Sequence, residues 1–99
     1  MEIKINAIGF SADKNLKSFI DEKVSKLSQF SDDILNAEVH LSLERSQTKN
    51  FDSKVSKIKI LVPKSDFFAE KKAQSFEEAI DSSVSALKTQ LIKHKEKKK

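Results

Sequence analysis

The apolar residues of this chain change period along its length, and the order of those changes leaves few folds open. Ile3, Ile5 and Ala7 alternate with Glu2, Lys4 and Asn6, the period of two that a half-buried strand requires. Gly9 breaks the strand, and Ser11 or Asp13 stands where a side-chain oxygen can take the first free amides of a helix. Leu16, Phe19, Ile20, Val24, Leu27 and Phe30 then recur at helical spacing as one stripe, which the Ser31-Asp32-Asp33 segment ends. Alternation returns in a second strand, with Ala37, Val39, Leu41 and Leu43 inward and Glu38, His40, Ser42 and Glu44 outward. A polar stretch at 45–54 is expected to be the hairpin loop into a third strand, where Ile58, Ile60 and Val62 face inward and Lys57 and Lys59 outward.

Pro63 cannot donate to a ladder and marks that strand's end. Beyond it, Phe67, Ala69, Lys71 and Ala73 alternate with Phe68, Glu70 and Lys72 as a fourth strand. Ser75 opens a second helix in the capping pattern that places Glu78 three residues on, with Glu77, Glu78 and Asp81 favouring the positive end of the dipole. Its stripe is Phe76, Ala79, Ile80, Val84, Leu87 and Leu91. The order is β-α-β-β-β-α. A right-handed crossover through the first helix makes strands one and two parallel, and the hairpins continue the sheet antiparallel. Each helix has one apolar stripe, so both are expected on one face of a four-stranded mixed sheet, an α+β two-layer fold with the other face polar and wet.

Residues 1–99 are expected to form a single domain, since a chain of this length supports one core. Ile, Leu, Val and Phe together exceed the ~20% below which chains stay disordered. The chain has no cysteine and hence neither a disulfide nor a thiolate metal site, and its N-terminus lacks the apolar core of a signal peptide. No apolar run approaches the ~18 residues of a membrane span, so a cytoplasmic, soluble protein without membrane contact is expected. A single glycine excludes the glycine-rich loops that cradle nucleotide phosphates. His40 and His94 are far apart, no metal spacing is present, and no serine sits in a recognisable nucleophile motif, so neither an enzyme nor a small-molecule cofactor is expected.

Charged residues make up 34% of the chain and sum to +4. That sum conceals a localised block, because residues 88–99 hold six Lys and one Glu while the remainder is slightly acidic. Such a block is either a solvated tail or a footprint for a polyanion. Two breaks in the apolar pattern favour the second. After Leu91 the core direction of the second helix is taken by His94, Lys95 and Lys98, so the helix is expected to leave the sheet and project a cationic end at about 92–99. On the first helix Lys23 lies about 20° from Leu16, inside the apolar stripe, and escapes burial only by snorkelling toward the groove between the helices, with Lys26 on the same flank. Together these lysines suggest a cationic groove on the helical layer that suits a phosphate backbone. Phe51 and Phe68 fall off the core faces, too few aromatics for base stacking across a sheet. A stand-alone double-stranded RNA binder is an alternative, against which the N-terminal strand argues. A protein-interaction module using the bare sheet face is another.

The element order, the first-strand segment EIKINAIGF, the helix LKSFIDEKVSKLSQF and above all FEEAIDSSVSALKTQLIKHKEKKK resemble the ribosome hibernation promoting factor and protein Y (sigma-54 modulation protein) family. The most specific pieces are Ala79-Ile80-Asp81 and the run from Gln90 to Lys97. The resemblance implies a non-enzymatic factor of stress or stationary phase that binds small-subunit rRNA in the channel used by mRNA and tRNA and blocks translation. Carried over by position, the RNA-contacting residues are Lys23 and Lys26 on the first helix and Lys88, Lys93, His94, Lys95 and Lys97 on the second. Lys88 matches inexactly, because family members often carry Arg one position later, where Thr89 stands here. The chain looks like the family's short form, which leaves open both ribosome dimers made with a partner protein and inactivation of single ribosomes.

Overall fold

A computed structural model of the chain describes residues 1–45 and 52–97, with side chains at 1–44 and 53–94. The elements run β1 (Glu2–Ala7), α1 (Lys14–Ser25), a 3₁₀ turn (Lys26–Gln29), β2 (Asn36–Arg45), β3 (Asp52–Val62), β4 (Ser65–Ala73) and α2 (Phe76–Lys97). The sheet order is β1-β2-β3-β4, with β1 parallel to β2 and the other pairs antiparallel. This is the expected α+β arrangement, and its core lies between the sheet and both helices. Leu16, Ile20, Val24 and Leu27 meet Ala37, Val39, Leu41, Ile58 and Ile60, while Ile80, Leu87 and Leu91 close the layer from α2.

Local chemistry starts both helices. The Leu16 N–H donates to Asp13 Oδ1 at 2.7 Å, and the Glu78 N–H donates to Ser75 Oγ at 3.2 Å. Each cap satisfies an amide that has no partner within its helix. Asp13→Ala is expected to cost about 1 kcal/mol and to lower the melting temperature by roughly 4–8 °C in a thermal scan followed by circular dichroism. Between β3 and β4, Val62 pairs with Ser65 across a two-residue turn. Pro63 presets its first position, and Lys64 adopts the positive φ of 70° that such a turn takes at its second.

Several details depart from the sequence reading. The stripe from Leu16 to Phe30 is not one α-helix: it tightens to 3₁₀ at Lys26, where the Ser28 hydroxyl donates to the Ser25 carbonyl at 2.8 Å in competition with backbone amides. Leu43 is exposed rather than buried, because β1 ends at Ala7, opposite Leu41, and leaves the next rows of the sheet narrower. The hairpin segment expected at 45–54 is shorter, since β2 runs to Arg45 and β3 begins at Asp52. Its remaining residues, 46–51 with Phe51, lie outside the described residues.

The sheet's outer face carries the expected Lys57, Lys59, His40 and Glu38, but it is not wholly wet. Val55 on that face is buried at 3% exposure, flanked in its row by Ser42 and Lys72. Lys72 reaches across the middle strand to Glu44, with Nζ 2.7 Å from Oε2. That hydrogen bond, and then the Glu44 charge, raise the Lys72 pKa above its ordinary value. On the inner face Ser56 and Ser83 are fully buried, and Ser83 Oγ donates to Ser56 Oγ at 3.2 Å, so two small polar residues satisfy each other where α2 crosses β3.

Candidate nucleic-acid interface

α1 and its 3₁₀ extension run beside α2, and the groove between them has a volume of about 330 Å³. Its apolar base is Leu27 and Val84, part of the layer that docks the two helices on the sheet. Lys23 and Lys26 line one wall, Asp81, Ser85 and Lys88 the other, and Phe30 lies at one end. The packing thus collects three of the lysines expected from the sequence into one place, although they come from segments far apart in the chain.

Lys23 does snorkel. Its side chain is 32% exposed, with Nζ 3.8 Å from Asp81 Oδ1 across the groove and 5.6 Å from the centre of the Phe19 ring. Lys26 is more open and stands 4.0 Å from Glu22, one turn back on its own helix. Lys88 Nζ lies 5.1 Å from the centre of the Phe30 ring. Two of the three ammonium groups therefore rest over aromatic faces, which confines long side chains without neutralising them. Exposed pairs such as Lys26–Glu22 are worth about 0–1 kcal/mol and yield readily to a phosphate.

The other expected residues are placed differently. Lys93 is exposed but lies five residues beyond Lys88, about 140° around α2 and away from the groove flank. His94 is half-buried, with its ring edge-on to Phe67 of β4 at 5.1 Å between centroids. The core direction of α2 therefore persists one turn further than the sequence suggested. His94 also borders a smaller hollow of about 150 Å³ beyond Phe30, shared with Gln29, Leu91 and Asp32. Lys95 and Lys97 belong to the helical backbone of α2, whereas Lys98 and Lys99 lie outside the described residues. Thr89 donates its hydroxyl to the Ser85 carbonyl at 3.2 Å.

Two groups escaped sequence reasoning. Asp81, read there as a dipole-favouring acid, stands inside the groove, and its signal was the seven-residue spacing that puts it on the same flank of α2 as Lys88. Gln90 donates to the Phe68 carbonyl at 3.0 Å and ties α2 to the edge strand β4, which no local pattern announces. Among the described residues no group of three or more His, Asp or Glu could hold a metal ion, and no helix is long and apolar enough to cross a membrane.

The family model described as sigma 54 modulation protein / S30EA ribosomal protein matches residues 3–99. No curated protein matches the chain. Among solved structures, the chain is similar to the N-terminal domain of protein Y from Thermus thermophilus, with 22% identity and a TM-score of 0.80 over 95% of this chain and 99% of that one. It is similar as well to a ribosomal subunit interface protein from Coxiella burnetii, with 20% identity and a TM-score of 0.82 over 96% of this chain and 98% of that one. At these identities the two structures establish a shared fold.

Proposed function

Because the chain belongs to the sigma 54 modulation protein / S30EA ribosomal protein family, we propose that it is a non-enzymatic ribosome-binding factor that holds small-subunit rRNA and inhibits translation. The observation that carries this reading is the groove in which Lys23, Lys26 and Lys88 converge from two helices. Three ammonium groups on packed helices lose less conformational freedom on meeting phosphates than a solvated tail does, and binding releases the counterions of that RNA. In sequence, the C-terminal part of the chain from Lys93 onward adds further positive charge. We place the contact in the channel shared by mRNA and tRNA, which makes inhibition steric and requires no chemistry. The setting is stress or stationary phase, in the cytoplasm.

The test is sedimentation of the purified protein with ribosomes and with separated subunits through a sucrose gradient, beside a translation assay. Co-migration with the small subunit is expected, with loss of translation and a steep salt dependence. Neutralising about six phosphates lowers affinity by ~10³-fold between about 50 and 200 mM salt. A shift toward ribosome dimers, alone or with a second protein, names the subtype. Binding that persists at high salt, or tight binding to naked duplex RNA with none to the small subunit, overturns the proposal.

A further inference from the structure

Asp81 is the one carboxylate in the wall of a groove otherwise suited to phosphate, and a groove meant only for polyanions would be stronger without it. It belongs to the Ala79-Ile80-Asp81 segment singled out in the sequence, of which Ala79 and Ile80 are fully buried and account for themselves as core. Asp81 does not: its side chain is 65% exposed, and it lies beyond the first turn of α2, where a helix dipole no longer rewards an acid much. Its neighbour is Lys23, from the other helix, at 3.8 Å from Oδ1. The groove is therefore uneven: the carboxylate faces Lys23, while Lys88 stands over the Phe30 ring.

An ionised carboxylate accepts hydrogen bonds and repels phosphate. Where the groove meets only the sugar-phosphate backbone, the one donor that turns such a carboxylate from a penalty into a contact is a hydroxyl on the adjacent sugar, since the base amines lie out of reach in the grooves. A ribose 2′-hydroxyl supplies that donor and deoxyribose does not. We propose that Asp81 is the residue by which this groove distinguishes RNA from DNA and other polyanions, accepting a ribose 2′-hydroxyl next to a phosphate that Lys23 and its neighbouring lysines hold. The inference rests on the RNA-binding reading and adds to it the residue that sets selectivity. Such discrimination comes as much from what a wrong ligand loses as from what the right one gains. With DNA in the groove, Asp81 keeps Lys23 occupied and its own charge faces phosphate unrelieved. With RNA, the same carboxylate is hydrogen-bonded and Lys23 is shared.

The test compares an RNA duplex of about 16 base pairs with the DNA duplex of the same sequence, by fluorescence anisotropy at about 50 mM salt. The proteins are the wild type, Asp81→Asn, Lys23→Gln and the double variant. Asp81→Asn is expected to strengthen DNA binding roughly three- to tenfold, while RNA binding stays level or falls, so the RNA-to-DNA preference drops by about tenfold. Lys23→Gln is expected to cost less than about twofold on DNA in the wild-type background and about three- to fivefold beside Asp81→Asn, because only then is the ammonium released. Asp81→Ser, which also removes the charge, is expected to behave alike, and matching thermal melts show that the fold is intact. Equal change of RNA and DNA affinity in Asp81→Asn overturns the proposal, as does equal cost of Lys23→Gln in both backgrounds or no measurable RNA binding by the wild type. Neither duplex contains a ribosome, so a protein that fails to sediment with small subunits yet shows the expected coupling refutes the ribosomal reading and leaves this one standing.

Discussion

Replacing Lys23, Lys26 and Lys88 together by Glu is expected to abolish co-sedimentation with the small subunit, with RNA affinity lowered by ~10³-fold or more at about 100 mM salt. Three cations leave the groove and three anions enter it, so phosphates that released counterions on binding now meet repulsion. The slope of affinity against salt is expected to flatten by about three ions for the same reason. The melt should move only modestly. Lys23 and Lys26 are 32% and 54% exposed, with long ion pairs at 3.8 Å and 4.0 Å, and Lys23 and Lys88 add exposed ring contacts at 5.6 Å and 5.1 Å. Pairs of that kind contribute about 0–1 kcal/mol each. Lys93→Glu is the internal comparison: it lies on another flank of α2 and should weaken binding far less than Lys88→Glu. If the triple variant binds as the wild type does, or if Lys93→Glu is the more damaging change, the groove is not the contact surface.

Leu87→Ala should show the opposite pattern, a large loss of stability with the groove chemistry untouched. Leu87 is fully buried on α2 within the cluster that joins both helices to β2 and β3. Truncation removes the transfer energy of its methyl and methylene groups and leaves a cavity, at a cost of about 3–4 kcal/mol. Domains of this size have about 5–15 kcal/mol in total, and each kcal/mol moves the midpoint by roughly 4–8 °C. A fall of about 15–25 °C in melting temperature is therefore expected. Well below the new midpoint, RNA affinity should stay within about twofold of the wild type, because Lys88 is held on the next residue of a helix that remains docked. A shift under about 5 °C would show that α2 contributes little to the core.

The two variants separate the parts of this protein that were legible in its sequence from the parts that were not. The Ser75 cap was readable, and the first helix's cap was narrowed to Ser11 or Asp13, because donor and acceptor lie three residues apart, a distance set by the helix itself; the structure selects Asp13. The inward sets Ala37-Val39-Leu41 and Ile58-Ile60-Val62 were readable because one buried face imposes a period of two. Leu43 broke that rule for a reason outside its own strand: β1 stops short of it. Val55 broke it in the other direction, packed on a polar face beneath the Lys72–Glu44 pair.

The candidate site divides in the same way. Lys23 was conspicuous because a lysine in an apolar stripe must find an exit, and Lys26 follows on its flank. That they meet Lys88, and that Lys93 does not join them, depends on how α2 is rotated against α1. Asp81 beside Lys23 and His94 against Phe67 are pairings between distant segments that no periodicity encodes.

By itself, then, the sequence determined the order of elements, which face of each is apolar, where the second helix begins and that its C-terminal end is rich in lysine. Those properties follow from backbone geometry and from interactions spanning a few residues, which the amino-acid order states directly. Only the tertiary structure decided which lysines share a groove, that a carboxylate stands among them and that the histidine of the basic run belongs partly to the core. These depend on the distance and rotation between packed elements, which close packing of the whole core sets at once.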